Sequence, residues 1–107
     1  MNRGNYYRRK TKKWFEDKGY FADYLEKNQR IFTNGQIIFI KKDVAGADGM
    51  AMNGKEMIFW QSKLGNKNVA KAIKEFKSYP YPPSVGRWII VWTPRGREPY
   101  IEIVNGD

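Results

Sequence analysis

Asp48, Gln61 and Lys63 are the residues of this sequence whose types and spacing suit a common chemistry. A carboxylate and an amide carbonyl are oxygen donors for a hard divalent cation, and the backbone carbonyl of Ser62 can add a third. An ammonium two residues after the amide can stand beside an incoming phosphate and orient a nucleophile. A cation held this way lowers the pKa of a bound water and stabilises charge on phosphate oxygens, which is what phosphodiester hydrolysis requires. Each residue also has an ordinary structural reading. Asp48 can end a strand, Gln61 can be a polar edge residue, and Lys63 can lay its stem over apolar surface. An acid followed later by x-Lys is common by chance.

The three can act together only if the chain reverses between Asp48 and Gln61. Asn53-Gly54, flanked by Met50–Met52 and Met57–Trp60, is the dipeptide best suited to a two-residue hairpin turn. Such a turn opposes Asp48 to Phe59 and Gly46 to Gln61. The pleat then gathers Asp48, Met50, Met52, Met57, Phe59, Gln61 and Lys63 on one face, with Asp48 diagonal to Gln61. Three polar residues interrupting an apolar face need a shared reason, because burying them unpaired is costly. Asp43 precedes this hairpin. It either supplies a second carboxylate through a bend at Gly46 or is a solvated acid beside Lys41 and Lys42. Glu56, on the opposite hairpin face, and Glu75 read as structural.

Composition narrows the partners. The chain has 107 residues, enough for one core, and 41% hydrophobic with 16% aromatic residues argues for a folded domain over 1–107. Twenty Lys and Arg against 11 acids give a formal charge of +9, which makes nucleic acid the leading partner, ahead of acidic proteins or anionic lipid. No Cys and no His means no disulfide scaffold, no Cys/His zinc site and no His-dependent triad. A metal must be held by oxygen, which favours Mg²⁺, Mn²⁺ or Ca²⁺. No apolar run reaches the roughly 20 residues of a membrane span, and the expected location is the cytoplasm.

Periodicity supplies the elements. Tyr7, Thr11, Trp14, Phe15 and Lys18 fall at helical spacing over 5–18, with Gly19 as the stop. The other faces carry Arg8, Arg9, Lys10, Lys12 and Lys13, either a phosphate-contacting or a solvated surface. The stretch 19–27 leans towards a strand, and Ile37–Ile40 reads as a buried strand ending near Lys41. A second helix follows the hairpin, with Val69, Ile73 and Phe76 on one face and Pro80 ending it. Lys67, Lys71 and Lys74 form a stripe there that either tracks a nucleic-acid backbone or is solvated. Residues 87–92 and 100–104 close the chain as strands, and the four Trp read as core. The order suits an α/β domain bordering on α+β: one mixed sheet flanked by helices.

Asp48, Gln61 and Lys63 on a central hairpin resemble the PD-(D/E)XK nuclease superfamily, whose core runs helix, three strands, helix, strand. "GADGMAMNGKEMIFWQSK" is similar to the acid and x-Lys strand pair of small Holliday junction resolvase-like members, including variants with Gln for the second acid. The resemblance implies a restriction-endonuclease-like αβββαβ core and a Mg²⁺- or Mn²⁺-dependent endodeoxyribonuclease. It also implies catalytic roles for Asp48, Gln61 and Lys63. Resolvase-type members usually carry a Glu early in the first helix, and counting back from Gly19 puts Arg8 there. A homodimer is expected, since one short domain offers one active centre and cutting two strands needs two. The absence of any base-reading element favours selectivity for DNA structure. A domain of this fold that binds nucleic acid without cleaving it, or a basic subunit of a larger assembly, are the competing expectations.

Overall fold

The computed structural model describes residues 3–33, 35–43 and 45–104, with side chains described over 6–25 and 45–104. The chain runs α1 (Arg3–Asp17), β1 (Phe21–Tyr24), β2 (Glu26–Thr33), β3 (Gln36–Asp43), β4 (Gly49–Met52), β5 (Met57–Leu64), α2 (Val69–Lys77), β6 (Gly86–Trp92) and β7 (Tyr100–Ile103). Five strands form one sheet in the order β1-β4-β5-β6-β7. All neighbours are antiparallel except β5 and β6, which run parallel because α2 crosses over between them. Removing β2, β3 and β7 leaves helix, three strands, helix, strand, the expected core of a mixed α/β domain.

Each helix covers one face of the sheet, and the alternation of residues along the strands follows from this. On the α1 side Trp14 and Phe15 pack with Ala51, Ile58, Trp60, Ile90 and Trp92. On the α2 side Ala72 and Phe76 pack with Ala47, Ile89, Val91 and Val104, and Phe59 lies against them. Because β6 is buried on both faces, its apolar run is continuous rather than alternating. Phe15 and Phe76 are fully buried, and each such side chain contributes about 1.5–3 kcal/mol relative to exposure. Gly19 ends α1 at φ +92, with the Tyr20 N–H returning to the Phe15 carbonyl. No helix among the described residues is long and apolar enough to cross a membrane.

Two features differ from the sequence expectation. β2 and β3 pair only with each other, as a separate two-stranded ribbon between β1 and β4. The strand expected at Ile37–Ile40 is present as β3, but it is not part of the central sheet, and the burial expected of it lies outside the described side chains. The second difference is the hairpin turn. It has four loop residues, not two: the Asn53 N–H donates to the Glu56 carbonyl at 3.1 Å. The Asn53 side-chain oxygen accepts from the Lys55 and Glu56 N–H groups, both at 2.9 Å. This local bonding by the carboxamide competes with the tight turn and lengthens the loop. Met52 therefore faces Met57 and Gly49 faces Trp60. The register has moved by two positions, an even number, so Met50 to Gln61 keep the faces expected of them. Asp48 does not: its N–H joins Gly49 opposite Trp60, and this break in the ladder turns its carboxylate towards Ser62 and Arg8 on the α1 side, whereas Gln61 lies on the α2 side.

Candidate active site

Asp48 immediately precedes β4 and is fixed through its backbone from both sides. Its N–H donates to the Trp60 carbonyl and its own carbonyl accepts from Leu25 N–H, each at 2.9 Å. The next residue must be glycine. A Cβ on Gly49 would lie 2.2 Å from the Trp60 ring and 2.5 Å from the Asp23 carbonyl oxygen, so the indole occupies the space a side chain would need. The carboxylate of Asp48 is turned over β5 and is almost fully buried. Oδ2 accepts from the Ser62 N–H at 2.9 Å and lies 3.3 Å from its hydroxyl. Oδ1 lies 3.3 Å from Nη2 of Arg8, which reaches down from the first half of α1.

Gln61 is 3% exposed, and its amide N–H donates to the Gly46 carbonyl. This bond fixes the sense of the amide and leaves its carbonyl oxygen to face another partner. The segment that accepts the bond is conformationally unusual. Ala45 has φ 53 and Gly46 φ 78, two successive left-handed residues, and for alanine this costs about 1–2 kcal/mol. The Tyr81 hydroxyl holds the strained bend by donating to the Ala45 carbonyl at 2.6 Å. A Cβ on Gly46 would meet the Tyr79 ring at 3.3 Å. Burial raises the Tyr81 phenol to about 12, an effect that the nearby Arg87 opposes, so its hydroxyl remains a donor through the ordinary pH range.

The hairpin thus brings Asp48 to Ser62, while the side chain of Gln61 is turned to the other face of the sheet, onto Gly46. Lys63 follows on β5 on the Gln61 side of the pleat, half-buried, with no hydrogen bond or ion pair to any described residue. Asp43 ends β3, and its side chain lies outside those described. Arg9 is exposed on α1, and Lys12 bonds Glu16 at 3.0 Å, a contact that raises its pKa. Lys67 precedes α2 and Lys71 and Lys74 lie on it, all exposed. Arg8, expected on a phosphate-contacting or solvated surface, is paired with Asp48. The bend expected at Gly46 is present, but the strained Ala45 beside it and the Ser62 side chain were not read from the sequence. The one available signal was Arg8 itself, a base where the resemblance expects an acid.

As donors, the oxygens of Asp48, Gln61 and the Ser62 backbone fit a hard cation. Their charge is low: no three acidic, His or Cys side chains group together among the described residues, and the one carboxylate is already ion-paired. A divalent ion at this position competes with the Arg8 guanidinium.

No protein-family model matches the sequence, and no curated protein matches it. Solved structures do. The chain is similar to Hjc, a Holliday junction resolvase from the archaeal hyperthermophile Archaeoglobus fulgidus, at 15% identity and a TM-score of 0.62, over 96% of this chain and 74% of that one. A weaker likeness, at 17% identity and a TM-score of 0.49, is to SSO0001, over 92% of this chain and 47% of that one. At 15% identity the likeness to Hjc establishes a shared fold.

Proposed function

We propose that this chain is a metal-dependent DNA endonuclease that hydrolyses phosphodiester bonds at Asp48, Gln61 and Lys63, with a preference for branched DNA. The observation that supports this reading is the Asp48 carboxylate held over β5 by Ser62, the residue between Gln61 and Lys63, within a fold similar to that of Hjc. Asp48, the Gln61 amide oxygen and the Ser62 carbonyl would hold Mg²⁺ or Mn²⁺. When bound, the ion supplies an activated water and neutralises phosphate charge. The Ser62 N–H and hydroxyl fix the carboxylate, and the bond to Gly46 fixes the amide. Lys63, which has no partner among the described residues, binds a phosphate oxygen and orients the nucleophile. Arg8 exchanges Asp48 for a phosphate, and Arg9, Lys12, Lys67, Lys71 and Lys74 track the backbone. Two copies of the chain provide one centre for each strand.

The test is cleavage of a four-way junction, a duplex and a single strand side by side in Mg²⁺ and Mn²⁺. Asp48→Ala is expected to abolish cleavage and leave DNA binding intact, and cleavage by that variant sinks the assignment. A second reading is favoured by the Arg8–Asp48 ion pair: a DNA-binding module in which the guanidinium permanently takes the cation's place. Calorimetry with Mn²⁺ in the presence of DNA separates the two, since only the first binds metal.

A further inference from the structure

Arg87 is a buried cation that the candidate active site does not use. It lies on β6, paired with Phe59, and is 7% exposed. Nη1 donates to the Phe76 carbonyl near the end of α2 at 3.1 Å, and the guanidinium lies 5.5 Å from the centre of the Tyr81 ring. These contacts explain part of its presence, because the C-terminal end of a helix carries partial negative charge. They leave most of its five N–H donors without a protein partner among the described residues, open to the adjoining cavity. No carboxylate pairs with it among the described residues, and a buried charge without a counter-ion is strongly unfavourable.

The guanidinium borders a cavity of about 500 Å³, whose lining also includes Lys77, Tyr79, Tyr81, Pro82 and Val104 and contains no acidic residue. The volume falls within the range of small-molecule sites. Two cations with no anion call for a phosphate, which Arg can bind through parallel N–H bonds. The half-exposed Tyr79 ring beside them offers a face on which a base can stack. From these observations we infer that the cavity is a nucleotide-binding pocket. It takes a nucleoside monophosphate unit with its phosphate on Arg87 and Lys77 and its base against Tyr79. The pocket opens on the same side of the sheet as Gln61, and Tyr79 is common to both, since it also packs on the Gly46 that holds the Gln61 amide. The inference does not rest on hydrolysis at Asp48, and either can fail without the other.

The whole chain is titrated calorimetrically with deoxyadenosine 5′-monophosphate, with deoxyadenosine, and with inorganic phosphate. The nucleotide is expected to bind at least about tenfold more tightly than either fragment. Lys77→Gln, at an exposed position, and Arg87→Gln, checked for folding by thermal melt, should each weaken it by about tenfold or more. Asp48→Asn and Lys55→Gln should leave it unchanged. Equal affinity for nucleotide and phosphate, or equal losses in Lys77→Gln and Lys55→Gln, would show attraction by net charge alone and overturn the pocket. A 5′-phosphorylated dinucleotide distinguishes the sources: binding at least as tight as the mononucleotide indicates a nucleotide within a strand, and much weaker binding a free one. Both outcomes support the pocket.

Discussion

The carboxylate of Asp48 has one oxygen held by Ser62 and the other facing Arg8, and the second contact controls what the site can bind. A guanidinium 3.3 Å from a nearly buried carboxylate supplies the positive charge that a metal would otherwise supply. Arg8→Gln is therefore expected to tighten Mn²⁺ binding by on the order of tenfold, measured by calorimetry. Because it leaves the nearly buried Asp48 carboxylate without this counter-ion, the substitution should also lower folding stability by about 1 kcal/mol or more. Arg8→Glu should go further, adding a second carboxylate in the same place. If neither substitution changes Mn²⁺ affinity, Arg8 does not govern access to Asp48. Gly49 makes the opposite case, of a residue that allows no change at all. A methyl group there collides with the rigid Trp60 ring and the Asp23 backbone, so Gly49→Ala should cost about 3 kcal/mol or more in a denaturant titration.

At the scale of elements, the hairpin was legible in the sequence even though its turn was misjudged. Asn53-Gly54 marks a reversal whatever its length, and the alternation of Met57, Phe59 and Gln61 sets the faces. The carboxamide of Asn53 lengthened the loop by an even number of residues, so the faces of Met50 to Gln61 are as expected, and only Asp48, where the ladder breaks, turns to the other side. Less was legible elsewhere, because the deciding contacts are tertiary. The apolar run Ile37–Ile40 reads the same in a central strand or in a ribbon, and nothing local to Arg8 announces Asp48. The bend at Ala45–Gly46 depends likewise on a residue far along the chain, Tyr81, and this gives a pH prediction. Removing its hydrogen bond to Ala45 by Tyr81→Phe should cost about 1 kcal/mol at neutral pH. The folded-state pKa, about 12, lies above the ordinary value of 10, so the tyrosine's contribution is complete below pH 10 and is lost as pH rises towards 12. The stability difference between wild type and Tyr81→Phe should accordingly shrink across that interval, and a constant difference would show that the phenol ionises as easily folded as unfolded.

For the whole molecule the governing quantity is the net charge of +9 and where the fold spends it. Several cations have internal duties: Arg8 pairs with Asp48, Lys12 with Glu16, Lys10 with the Gly96 carbonyl, and Arg87 with the end of α2. Lys67, Lys71 and Lys74 have none among the described residues, and they are exposed on or just before the helix that covers the Gln61 side of the sheet. A solvated face and a phosphate-tracking face look alike in a single structure, but they differ in their response to salt. Each phosphate contact releases a condensed counterion, so the logarithm of DNA affinity falls with the logarithm of salt concentration at a slope near −0.9 per contact. If both lysines on α2 meet phosphates, Lys71→Gln combined with Lys74→Gln should make the slope shallower by about 2 and weaken binding to every DNA form alike. A solvated face would leave the slope unchanged. Measured in parallel with Asp48→Ala, which should leave the slope intact and remove only cleavage, the experiment separates the proposed DNA-holding surface from the hairpin proposed to cut.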